Sequence, residues 1–437
     1  MKNINKTNRR FYALILSIII ITFSSCNTKK QSLYSRLESI SDISQIKEIK
    51  HDTLYKSAYE LKILQPLDHN NPDGEKFTQK VYLSHIDYSK PVVFITEGYS
   101  ANRNYKSELS SLLECNQIIV EHRYFGESKP DSLIWKYLTI KQAAEDHHHI
   151  VEIFKKIYKG KWLNTGISKG GQTTMYHRYF FPNDVDVSVP YVAPLNFSAE
   201  DSRIYTFLDT VGTKSARDKI INFQKLLLKN EDKLIPMLKK LSKEKNYKFS
   251  MGFEKAFEYN VLEFPFAYWQ WGIINESDIP ENDKSLKKLF NCLTKVSSFN
   301  YFSDKGVKEL QPFFYQALTQ IGYYGYDTKP LKGYLKHLDN PNFNFTLPKN
   351  INVKFDSVPM QKVKKFLDNY GNNFIYIYGG SDTWSATSYQ PSGKTNAIKI
   401  YIHNGSHRTA RIKYMSDKQK HTVYSALEKW LDVKIKN

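Results

Sequence analysis

Ser168 stands in the run Gly166-Ile-Ser-Lys-Gly-Gly171, with a glycine two residues before it and glycines two and three after it. A serine hydroxyl is a weak nucleophile until a histidine takes its proton and a carboxylate orients that histidine. Gly-x-Ser-x-Gly alone is also what a glycine-rich turn looks like. The reading therefore depends on whether an acid and a base follow, and on what carries them. Asp382, in Gly379-Gly-Ser-Asp-Thr-Trp384, is the candidate acid. His403 and His407, in His403-Asn-Gly-Ser-His407-Arg408, are the candidate bases. His403 continues the apolar run before it, whereas His407 lies in a loop able to fold back over the serine, so His407 is preferred. Taken singly, such an Asp caps a turn and such a His is a surface polar group. Their order and positions together carry the argument.

The elements around these residues read as strand and helix in alternation. Pro91-Val-Val-Phe-Ile-Thr96 is a continuous apolar run ending in Glu97-Gly-Tyr99, and Gln117-Ile-Ile-Val-Glu121 is a second. Such runs suit strands covered on both faces. Residues 139–158 place Ala143, Ile150, Ile153, Phe154 and Ile157 at helical spacing. A strand over residues 162–165 precedes Ser168 and a helix over residues 172–179 follows it. Strands are expected again near residues 184–194, at 373–378 ending before Asp382, and at 397–402 ending before His407, with a terminal helix over 417–433. Residues 59–64 and 77–85 read as two earlier strands around the turn QPLDHNNP. Between about 200 and 345 the character changes to amphipathic and aromatic helices, including a Lys-rich stretch over 219–241 that Pro236 is expected to break in two.

Strand–helix alternation interrupted by a helical block predicts an α/β class, a parallel sheet carrying a mainly helical lid or cap. The nucleophile of an α/β-hydrolase fold sits on a strand-to-helix turn, and its partners follow in the order serine, acid, histidine at later strand ends. Ser168, Asp382 and His407 meet that order. The expected segments are 53–199 and 346–437 for the two parts of an α/β-hydrolase core, and 200–345 for the lid. An oxyanion hole on this plan uses the amides of Lys169, the residue after the serine, and Tyr99, in the loop after an earlier strand.

Residues 1–26 read as a leader. Lys2, Lys6, Arg9 and Arg10 precede the apolar run 11–23, which is shorter than the roughly 20 residues a membrane span needs. Phe23-Ser-Ser-Cys26 resembles a bacterial lipobox with Phe in place of the usual Leu, making Cys26 the expected lipid attachment site. A cleaved signal without lipid and an N-terminal anchor helix are the alternatives. Residues 27–52 then form a tether and N-terminal segment, and the expected location is the cell envelope, as a periplasmic or surface-side lipoprotein. The net charge of +19 raises nucleic acid as a partner. The lysines are dispersed, however, with no basic block interleaved with aromatics, and a solvated Lys-rich surface is the preferred reading. With Cys26 spent on lipid, Cys115 and Cys292 remain, and their pairing stays open. No Cys/His spacing supports a metal. The consecutive His147, His148 and His149 point about 100° apart on a helix and cannot converge on one ion. No cofactor is expected.

The motifs QPLDHNNP, ITEGY, EHRYFGES, GISKGGQT, YYGYD, GGSDTW and GSH occur in that order between about residues 55 and 410. Together they resemble secreted serine peptidases of the bacterial tripeptidyl aminopeptidase type, the PS-10-like family S37. They are also similar to family S28, the prolylcarboxypeptidases and dipeptidyl peptidases. The resemblance implies an α/β-hydrolase core with a helical cap, peptide substrates cut near a free N-terminus, and Ser168, Asp382 and His407 as the triad. It does not carry over substrate preference. An enzyme of that kind must read a free amine, for which Glu97 and Glu263 are candidates. Trp269, with Phe264, Phe266 and Trp271, is a candidate wall for substrate side chains, or else lid core. Glu121 is expected to be structural, buried beside Arg123. An esterase on the same residues and a non-catalytic surface lipoprotein binding peptides or glycans are the competing readings.

Overall fold

The computed structural model describes residues 32–281 and 284–435. The leader and Cys26 lie outside them. The chain divides into residues 1–41 and 42–437. In the first unit, the described residues form α1 (Leu33–Glu38), whose N-terminus is capped by the Ser32 hydroxyl. Among the described residues no helix is long and apolar enough to cross a membrane.

The second unit is organised on one sheet. Its strands are β1 (Ile43–Glu48), β2 (Ser57–Pro66), β3 (Lys76–His85), β4 (Val92–Thr96), β5 (Asn116–Val120), β6 (Trp162–Ile167), β7 (Val187–Tyr191), β8 (Ile375–Gly379) and β9 (Ile398–Ile402). They lie in the order β1-β2-β3-β5-β4-β6-β7-β8-β9. β1, β2 and β3 run antiparallel to their neighbours, and from β5 to β9 every pairing is parallel. β4, β5, β7 and β8 are buried along their whole length, and β6 up to its last residue, Ile167, as strands covered on both faces are. This is an α/β-hydrolase fold.

Because the parallel strands share a direction, their C-terminal ends lie along one edge of the sheet. α2 (Glu108–Leu113) follows β4, α3 (Ile140–Lys155) follows β5, and α4 (Lys169–Phe180) follows β6. The helical block between β7 and β8 comprises α5 (Arg203–Leu208), α6 (Lys214–Lys229), α7 (Glu231–Lys245), α8 (Phe253–Trp271), α9 (Leu286–Val296) and α10 (Asp304–Gln316). α11 (Val358–Tyr370) leads into β8, and α12 (Asp417–Leu431) ends the described fold. Strand alternation divides the core between two faces. On β8, Ile375 and Ile377 pack with α2 and α12, whereas Tyr376 and Tyr378 pack with α3, α4, α11 and part of the lid. The lid has its own core of Phe223, Leu234, Phe257, Phe264 and Leu293.

Two features depart from expectation. Residues 43–48, read as part of a tether, form edge strand β1 on β2. The lid helix breaks at Asn230, not at Pro236, which lies inside α7. Pro236 is the sixth residue of that helix, where its missing N–H removes one bond, to the carbonyl of Asp232 in the first turn, and the helix continues through it.

Candidate active site

β6 ends at Ile167, and Ser168 turns the chain into α4 with φ 58° and ψ −123°. A non-glycine residue at such a φ is strained and needs support. The Ser168 amide donates to the Tyr191 carbonyl at 2.9 Å, and the Ser168 carbonyl accepts from Gln172 at 3.0 Å. The flanking glycines allow backbones to close in. A Cβ on Gly166 would meet the Gly170 carbonyl at 2.3 Å, and one on Gly170 would meet the Thr96 carbonyl at 2.7 Å.

Asp382 and His407 meet across the ends of β8 and β9. The His407 Nδ1–H donates to Asp382 Oδ2 at 2.7 Å. Asp382 is fully buried and His407 is 4% exposed. The other Asp382 oxygen accepts from the Trp384 amide at 3.2 Å. With Nδ1 engaged, Nε2 is the ring nitrogen left to handle a proton. Trp271 at the end of α8 sits edge-on to the imidazole at 5.2 Å, and the His407 amide donates to the Gln270 carbonyl. His403 is exposed on the strand side.

Ser168 and His407 line one cavity of about 710 Å3, whose lid side is lined by α8 and by residues of the α9–α10 region. Tyr99, Lys169, Glu97, Glu263, Trp271, Arg408 and Arg411 also line it. The Tyr99 loop and the elbow touch backbone to backbone, since a Cβ on Gly98 would land 2.6 Å from the Gly170 nitrogen. The buried Lys169 ammonium donates to the Gly98 carbonyl at 2.7 Å. It lies 5.3 Å from the centre of the Phe125 ring and 5.7 Å from that of Tyr99. Burial holds its pKa well below the ordinary lysine value. The Gly98–Tyr99 peptide is planar and trans, so fixing its carbonyl sets the opposite direction of the Tyr99 N–H.

The two candidate amine-reading carboxylates differ in setting. Glu263 is 7% exposed and accepts from the Tyr324 hydroxyl on both oxygens and from Tyr326 at 2.8 Å. Burial pushes its carboxyl up to about 7, against the lowering effect of the tyrosine hydrogen bonds. Glu97 is half-buried, accepts from Tyr105 at 2.9 Å, and is also raised by burial.

Trp269 is not brought to this cavity. It lines a separate small lid pocket of about 90 Å3 and packs on Gly212, where a Cβ would meet the indole at 2.1 Å. Trp271 faces the cavity in its place, and Gln270, Arg408 and Arg411 join it, residues that only the fold of the lid and last loop reveals. Glu121 is fully buried and accepts from the amides of Ala101, Glu127 and Ser128. Arg123 does not pair with it. The guanidinium forks onto Asp146 of α3 at 2.6 and 2.7 Å, which ties the EHRYFGES turn to the helix behind it. His147, His148 and His149 bond three different partners, Ala143, Asp184 and Gln65. Cys115 and Cys292 are both buried free thiols.

A parallel sheet presenting a serine elbow at one strand end, and an acid–histidine pair at two later ones, defines a serine hydrolase of the α/β-hydrolase fold. The family model for PS-10 peptidase S37 matches residues 26–436. The chain belongs to that family and is a serine peptidase. It is 32% identical to the prolyl tri/tetrapeptidyl aminopeptidase of Streptomyces mobaraensis over 84% of this chain and 79% of that one. It is 24% identical to the protein named "Probable serine protease EDA2" from Arabidopsis thaliana, covering 81% of this chain and 80% of that one. Among solved structures, a proline iminopeptidase of Mycobacterium smegmatis aligns over 84% of this chain and 98% of its own, at 10% identity and a TM-score of 0.43.

Proposed function

We propose that the protein is an exported, lipid-anchored serine exopeptidase that removes short peptides from free N-termini through an acyl-enzyme. The observation that carries this reading is the buried Asp382–His407 hydrogen bond on the wall of the cavity that Ser168 also lines. Ser168 attacks the scissile carbonyl while His407 Nε2 takes its proton, and Asp382 holds the imidazole in register and stabilises it when charged. The amides of Tyr99 and Lys169 receive the oxyanion. His407 returns the proton to the leaving amine, and water then releases the acyl group by the same steps in reverse. Glu263, which lines the same cavity, pairs with the substrate ammonium, and the lid residues of α8 to α10 limit how much chain fits on the N-terminal side of the cleaved bond. The name of the Streptomyces relative directs the first substrate set, peptides with proline at the third or fourth position.

A fluorophosphonate probe tests the nucleophile. Labelling of the wild type and none of Ser168→Ala is expected; labelling that persists in Ser168→Ala rejects the assignment. Free-amine peptides are expected to be cut and their N-acetylated forms spared; equal turnover of both rejects exopeptidase action. Cleavage of simple esters without peptides would favour the esterase reading. The lipid anchor rests on the Phe23-Ser-Ser-Cys26 sequence. Cys26→Ala is expected to abolish labelled-palmitate incorporation and release the protein from membranes.

A further inference from the structure

Away from the cavity, at the back of the lid, three side chains converge from parts of the chain too far apart to show any ligand spacing in sequence. Glu231 opens α7, Glu258 lies in the first half of α8, and His337 follows the short turn Lys329–Leu331. One ligand atom from each lies within 4.8 Å of the others. Glu231 is 1% exposed, and neither of its carboxylate oxygens has a hydrogen-bond partner. The nearest positive groups stand beyond hydrogen-bond range, Lys336 Nζ and His337 Nε2 each at 3.9 Å. A buried carboxylate without a partner is costly, more so beside a second one. Burial and the charge of Glu258 push the Glu231 carboxyl up to about 7.

Glu258 is fully buried but held differently. It accepts from the amides of Lys336 and His337, at 2.5 and 3.1 Å. Those bonds pin the backbone at 336–337 over the helix and present the His337 imidazole to Glu231. The arrangement resembles a ligand set with its supporting hydrogen bonds already in place.

We propose that Glu231, Glu258 and His337 bind a divalent cation of the zinc class, which staples α7 and α8 to the segment around residue 337. Two carboxylates and an imidazole suit Zn2+ or Mn2+ better than Ca2+, which takes oxygen ligands in larger number. Donors around a four-coordinate ion with bonds of about 2.0–2.2 Å lie roughly 3.3–3.6 Å apart, so groups that stand within 4.8 Å of one another close by at most about 1.5 Å. His337, 38% exposed at its side chain, can supply that movement and leaves the ion a solvent-facing fourth position. Lys336 can swing away to the exposed Asp232, 3.5 Å from its ammonium. The ion's role is structural. α8 also carries Glu263, Gln270 and Trp271, so the staple stiffens the wall of the catalytic cavity without touching it.

The test uses the full chain, stripped with a chelator and titrated with ZnCl2, MnCl2 or CaCl2 by calorimetry and thermal melting. One saturable zinc site and a Tm raised by several degrees are expected, with calcium much weaker. His337→Ala, a half-exposed change that leaves the core intact, should weaken zinc at least tenfold and remove the Tm shift. Glu231→Gln should do the same, and Lys336→Met should tighten binding by removing a competing charge. Absence of a saturable site overturns the proposal, as does zinc binding that His337→Ala leaves unchanged. A Glu231→Gln protein that is more stable with or without zinc, and whose parent shows no zinc-dependent shift, would assign the pair to a shared proton instead.

Discussion

The backbone amide of His407 donates to the carbonyl of Gln270 at 2.8 Å, a bond between the loop after β9 and the last turn of lid helix α8. The next residue of that helix, Trp271, packs edge-on against the His407 ring. The lid therefore does more than roof the cavity, since it fixes the loop that carries the proposed base. Trp271→Ala removes one of these two contacts and leaves the Asp382 bond. Expected is a fall in kcat of about tenfold, with little change in Tm, because a misoriented imidazole costs rate steeply. Unchanged kcat in a peptide assay would show that the aromatic contact is packing alone.

His403 and His407 are four residues apart, and only His407 reaches Asp382. His403→Ala should keep near-wild-type turnover. His407→Ala should lose at least three orders of magnitude in kcat, the scale seen when a triad member is removed. Steady-state kinetics on a single peptide decide the matter, and the opposite ranking would transfer the base to His403.

Much of this was legible because the relevant signals are local. The central strands are buried on both faces, so β4, and β5 from Ile118 on, appear as apolar runs, and the elbow needs glycines within a few residues of Ser168. The order of Ser168, Asp382 and His407 then follows the order of strands. What escaped reading depended on partners distant in sequence. β1 is an edge strand whose residues are half-buried or exposed, so it carries no alternation. Trp269 and Trp271 are two residues apart on one helix and face nearly opposite ways, so composition could not say which lines the cavity. Arg123 chose Asp146 because α3 folds behind its turn, while the nearby Glu121 was consumed by turn amides.

Glu263 offers a pH test of amine recognition. Its folded pKa is raised to about 7 by burial, so the carboxylate needed to pair an ammonium is lost as pH falls through that value. kcat/KM for free-amine peptides should therefore decline below about pH 7. Glu263→Gln should raise KM about tenfold or more and abolish that dependence on Glu263 while leaving fluorophosphonate labelling of Ser168 intact. The stability sign is the reverse. A carboxyl whose folded pKa exceeds its unfolded one destabilises the fold as pH rises above the unfolded value, so Glu263→Gln should raise Tm more at pH 8 than at pH 5. If Glu97→Gln raises KM and Glu263→Gln does not, the amine belongs to Glu97.

Lys169 is argued to act through the Tyr99 loop by way of its side chain. The buried ammonium has one protein acceptor, the Gly98 carbonyl, and that bond sets the plane of the peptide whose N–H is the proposed second oxyanion donor. Lys169→Met keeps the stem length and the helix but removes the bond. The removal of a whole oxyanion donor costs about 100- to 1000-fold in kcat, so letting one rotate should cost about 10- to 100-fold, with KM little changed. A purely structural role predicts a different result, a lowered Tm with kcat preserved in the folded fraction. The split between kcat and KM, measured beside a melting curve, separates the two. Because the buried ammonium has its pKa held far down by desolvation, Lys169→Met also removes a group that is costly to charge. A variant that is slower yet at least as stable as the parent is the outcome the positioning role requires.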